Sequence, residues 1–70
     1  MAHHADELVW TLHKGTDQHA AEVRTRAAGC ELRLSRNGEL YLGRRHEARA
    51  HALAEAEMVR RGLERDGWKP

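Results

Sequence analysis

The chain has 70 residues, which is room for one small domain. Twelve Lys and Arg against eleven Asp and Glu give a net charge of +1. That is far from the strong basicity of a dedicated nucleic-acid-binding domain. No apolar run approaches the ~20 residues of a membrane span, and no charged-then-apolar leader opens the chain. Cys30 is the only cysteine, so no internal disulfide can form. These features together give the expectation of a cytoplasmic protein.

The core is small. Eight Leu, three Val, two Trp and one Tyr are present, with no Ile and no Phe. A single core in a chain this short rarely supplies more than ~3–5 kcal/mol. Without a disulfide or a metal framework, oligomerisation is the remaining source of stability.

Residues 1–7 are read as a flexible N-terminus, with Met1–Asp6 frayed, and 8–70 as one domain. His3 and His4 resemble a tag fragment or native residues equally. From Leu8 to His13, Leu8, Trp10 and Leu12 alternate onto one face, as in a half-buried strand. Gly15-Thr16-Asp17-Gln18 has turn chemistry. Alternation resumes over Ala21–Arg26 and again over Cys30–Ser35. Asn37-Gly38 then separates that strand from Glu39–Gly43, the strongest hairpin signal in the chain.

Face parity selects a register, because a slip of one residue moves every side chain to the other face. A three-residue loop, Arg36-Asn37-Gly38, pairs Leu34 with Leu40 and Leu32 with Leu42. A four-residue loop, Ala27–Cys30, aligns Val23 with Leu34 and Thr25 with Leu32. A four-residue first turn aligns Leu12 with Ala21 and Trp10 with Val23. The apolar face is then Leu8, Trp10, Leu12, Ala21, Val23, Leu32, Leu34, Leu40 and Leu42. The opposite face carries Val9, Thr11, His13, Glu22, Arg24, Arg26, Glu31, Arg33, Ser35, Glu39 and Tyr41, with Arg26 and Glu31 forming a cross-strand ion pair.

From about Arg45 to Asp66 the sequence is helical in composition. Ala48, Ala52, Leu53, Ala56, Val59 and Leu63 share one stripe, and the alanines allow close approach to the sheet. Asp66-Gly67-Trp68 reads as a Schellman stop, with Trp68 folding back on Leu63. The fold expected is α+β: a four-stranded antiparallel meander with one C-terminal helix packed on one face, ββββα.

Chemistry is sparse. His46 and His51 are five apart and cannot chelate from one helix face, His13 and His19 point to opposite faces, and Cys30 is alone. No metal site or cofactor is expected, since a structural zinc needs four ligands. Cys30 falls at an inward strand position, where cysteine behaves as a small hydrophobe. Ser35 and Thr11 lack an evident base. Gly43-Arg44-Arg45-His46 lacks the spacing of a phosphate-binding loop. An enzyme is therefore not expected.

Binding remains. The last strand, Leu40-Tyr41-Leu42-Gly43, is a short edge without central charge or proline, and such edges invite pairing. It is the candidate dimer edge, and a self-associating interaction module is the leading expectation. The alternative is weak single-stranded nucleic-acid binding by Arg24, Arg33 and Tyr41, supported by Arg44 and Arg45. Against it, three Arg and three Glu balance on the open face, whereas phosphate tracking needs unpaired positive charge. An accessory role for another, unidentified protein is the third possibility.

Overall fold

The computed structural model describes residues 5–70. The tag-like reading of His3 and His4, and most of the frayed start, lie outside the described residues. Four strands follow in order: β1 (Ala5–Lys14), β2 (Asp17–Arg26), β3 (Gly29–Arg36) and β4 (Glu39–His46). They form one antiparallel sheet in the order β1-β2-β3-β4. Helix α1 (Arg49–Arg65) lies across one face. The fold is ββββα.

All three hairpins turn on two residues: Gly15-Thr16, Ala27-Ala28 and Asn37-Gly38. The expected loops were longer, so the pairings differ. Leu12 faces His19 rather than Ala21, and Trp10 faces Ala21 rather than Val23. Val23 faces Leu32 and Thr25 faces Cys30. Each of these shifts is by two residues, which leaves the faces unchanged.

The third hairpin differs in kind. Asn37 and Gly38 both take positive φ, 52° and 85°, as a type I′ turn requires. Asn37 is anchored there: its Oδ1 accepts from the Gln18 N–H and its Nδ2 donates to Asp17. Leu34 then pairs with Leu42, and Ser35 with Leu40, leaving Tyr41 as an extra residue in β4. This bulge restores the parity that a two-residue loop would otherwise break. The two-residue turn itself puts Leu40 on the open face, 48% exposed, and Tyr41 on the helix side, where it meets His19. Both are the reverse of the expected placement.

A second irregularity lies at Val9, between the pairs Leu8↔Glu22 and Trp10↔Ala21. Leu8 is consequently turned out, 65% exposed, while Val9 packs against the core. Glu7 follows onto the helix side, where Arg49 donates to both carboxylate oxygens at 3.0 and 2.7 Å.

The core is a layer of Leu12, Ala21, Val23, Cys30, Leu32 and Leu34 under Ala52 and Ala56. The two helix alanines are fully buried, with Leu53 and Val59 packed around them. Trp10 donates its indole N–H to the Ala56 carbonyl at 2.9 Å, fixing the helix over β1. The helix begins later than composition suggested, because Arg44, Arg45 and His46 continue β4. Its N-cap, Ala48, offers no side-chain acceptor. At the other end, Gly67 N–H bonds Glu64 O and Trp68 N–H bonds Leu63 O. These are the two Schellman bonds.

Candidate functional site: an open edge and a charged face

The two edges of the sheet are unequal. Strand β1 is partly covered. Lys69, beyond the helix, exchanges both backbone hydrogen bonds with His13 at 2.6 and 2.9 Å. Lys14 Nζ reaches back to the Asp66 carbonyl at 2.8 Å. Trp68, only 7% exposed, anchors this return. Among the described residues, no element pairs with the outer side of β4. Along that strand Leu40, Tyr41 and Gly43 are exposed and Leu42 is half-buried.

Beside the start of β4 is a concavity of about 480 Å³ formed by His19, Arg36, Asn37, Glu39, Leu40 and Tyr41. Its inner wall is an aromatic cluster. His19 is buried, with Nδ1 3.1 Å from the Tyr41 hydroxyl. The His19 ring meets Tyr41 and Trp68 edge to face, at 5.5 and 4.4 Å between centroids. Arg36 lies over the Trp68 ring at 5.5 Å, within the range of a cation–π contact. Burial pushes the His19 imidazole down from its ordinary pKa, and Arg36 pushes the same way against a smaller pull from Asp17. Burial likewise pushes the Tyr41 phenol up.

The residues of the nucleic-acid alternative do not share a face. Arg24, Arg33 and Arg45 belong to the open face, Arg24 opposite Glu31 and Arg45 on the other side of the same Glu31. Arg24 bonds Glu22 at 3.0 Å and Arg33 bonds Glu31 at 3.1 Å. The expected Arg26–Glu31 pair is absent among the described residues, since Arg26 bonds Asp6 at 2.9 Å instead. Arg44 sits on the helix side, where it and His46 share Glu55 at 3.1 and 2.6 Å. With Tyr41 on that side too, the open face holds neither Tyr nor Trp among the described residues. Its surface is largely a lattice of opposite charges.

Sequence reasoning weighed His19 only as a metal ligand, not as part of the aromatic cluster. Its signal was parity, since it shares the alternation of Ala21 and Val23. Cys30 is buried, with Sγ 3.7 Å from the Thr25 hydroxyl. Among the described residues, no three His, Cys, Asp or Glu side chains are grouped to hold a metal ion. No helix among them is long and apolar enough to cross a membrane. Compared with known protein families, with curated proteins and with solved structures, the chain gives no match.

Proposed function

We propose that this protein is a non-catalytic interaction module that pairs with a second copy of itself through the outer edge of β4. The observation that carries this reading is the asymmetry between the edges. The C-terminal return bonds His13 and covers part of β1, whereas the outer side of β4 has no covering element among the described residues. Unpaired strand edges are templates for further pairing, and a two-fold axis through one such edge makes a closed dimer.

Charge supports the antiparallel sense. Strand β4 starts at Glu39 and ends at Arg44, Arg45 and His46. An antiparallel copy therefore sets the acidic start of each strand toward the basic end of the other. The bulge at Tyr41 interrupts the regular edge between Leu40 and Leu42, which implies a modest interface and a readily reversible dimer. The concavity beside Leu40 and Tyr41 offers room for a side chain of the pairing strand.

Amide hydrogen exchange, followed at low and high protein concentration, tests the reading. Slowing confined to β4 at high concentration is the expected result. Exchange in β4 that is independent of concentration refutes pairing at this edge.

A further inference from the structure

Apart from the β4 edge, the open face ends in a basic notch. Arg24, Glu31 and Arg45 form one cross-strand row over β2, β3 and β4. Arg26 and Gly29 pair in the next row, at the hairpin. Together with Ala28 and Cys30 these residues line a cavity of about 240 Å³. We infer that this notch binds a compact dianionic oxyanion, the terminal phosphate of a phosphate monoester.

The hydrogen-bond inventory supports this ligand class. A guanidinium carries five N–H donors in a planar fork suited to phosphate oxygens. Among the described residues, Arg24 uses its Nε on Glu22, and Arg45 uses one terminal nitrogen on the Ala28 carbonyl. Arg26 uses one terminal nitrogen on Asp6 and the Thr25 carbonyl. Most donors of all three therefore remain available. Glu22 and Asp6 hold one side of Arg24 and Arg26 and so orient the forks. Beside the notch, Gly29 takes φ 129°, and an added Cβ would meet the His46 carbonyl at 3.0 Å, so the hairpin there is strained by any other residue.

Charge and size narrow the ligand further. Glu22 and Asp6 each neutralise one side of Arg24 and Arg26, whereas Arg45 bonds only the neutral Ala28 carbonyl among the described residues, so its charge is the one a phosphate oxygen meets most directly. Drug-sized sites start at ~300 Å³, so this smaller notch takes a phosphate rather than a whole organic cofactor. Of the lining residues only Arg45 lies on β4; the others belong to β2, β3 and the turn between them.

Titration of the full chain with inorganic phosphate, followed by backbone and arginine side-chain NMR, is the test. Buffers are matched with sodium chloride for ionic strength. Saturable shifts confined to Arg24, Arg26, Gly29, Glu31 and Arg45 are expected. The apparent Kd should rise at least about fivefold in Arg45→Gln and in Arg26→Gln, and stay unchanged in Arg60→Gln on the helix. Spectra of the free variants establish that each is folded. Shifts no larger than those from chloride, or equal weakening in Arg60→Gln, overturn the proposal. A short oligonucleotide with and without a 5′-phosphate separates the sources. Binding that needs the 5′-phosphate supports a monoester site, and equal binding without it replaces that site with general backbone attraction.

Discussion

His19 on β2 and Tyr41 on β4 meet across the intervening strand, Nδ1 to hydroxyl at 3.1 Å, under the ring of Trp68. The contact exists because the β3–β4 turn has two residues rather than three. That register puts Tyr41 on the helix side rather than the open face, where a buried imidazole completes its hydrogen bond. The tail that shields β1 and the irregular residue of the open edge thus converge on one histidine.

This convergence has a pH signature. The folded-state pKa of His19 is lowered from its ordinary value near 6.5, by burial first and by Arg36 second. A histidine held neutral in the fold contributes stability that is complete above its unfolded pKa. That stability is lost as pH falls through the folded value. The melting temperature should therefore decline between pH 7 and pH 5, above the range where most carboxylates titrate. In His19→Gln the decline over that window should flatten. An identical slope in the two proteins would show that His19 does not carry the effect.

Trp68 lies beyond the helix yet is 7% exposed and packed edge-on to His19. Trp68→Ala should cost ~3–5 kcal/mol, the usual range for truncating a buried large aromatic. Denaturant unfolding measures it. A loss below ~1 kcal/mol would mean the C-terminal return is not part of the cooperative fold.

Ala52 and Ala56 set how closely the helix approaches the sheet, because both are fully buried. Ala56→Leu forces extra methyl groups into that contact and should destabilise by ~1–3 kcal/mol, as overpacked cores do. An unchanged midpoint in urea would indicate a looser helix–sheet layer than the one described.

Two hairpin glycines should differ in tolerance. Gly38, at φ 85°, has open space around its missing Cβ, so Gly38→Val suffers backbone strain alone. Gly29, at φ 129°, adds a contact with the His46 carbonyl at 3.0 Å. Strained backbone positions cost roughly 1–3 kcal/mol each. Gly38→Ala should fall at the low end of that range, and Gly29→Ala should exceed it. The reverse order in thermal melts would place the strain elsewhere.

Strand number, order and the identity of the core face were legible because alternation in Ala21–Arg26 and Cys30–Ser35 has a single apolar phase. Pairing partners were less legible. Loops of two and four residues preserve the same parity, so periodicity cannot choose between Val23↔Leu32 and Val23↔Leu34. The bulges at Val9 and Tyr41 lay outside that logic, since each adds one residue within a strand and inverts what comes before or after it. Leu8 is misplaced for that reason, and Tyr41 because the β3–β4 turn has two residues where three were expected. The strand–helix boundary was obscured because Arg44, Arg45 and His46 suit either element, and no capping side chain marks the start. Among the site residues, the β4 edge could be read from turn position and lack of charge. The notch formed by Arg24, Arg26 and Arg45 needed the true register.

Sedimentation equilibrium of the wild-type chain and of Leu40→Lys, over low to high micromolar concentration, tests the β4 edge most directly. Leu40 is 48% exposed, so lysine there should leave the fold intact while adding the edge charge that discourages pairing. The wild-type mass should climb with concentration toward twice the 8.0 kDa of one chain, and the variant should stay at one. A wild-type chain that stays at 8.0 kDa throughout would contradict self-pairing, and a variant that dimerises equally well would move the interface away from β4.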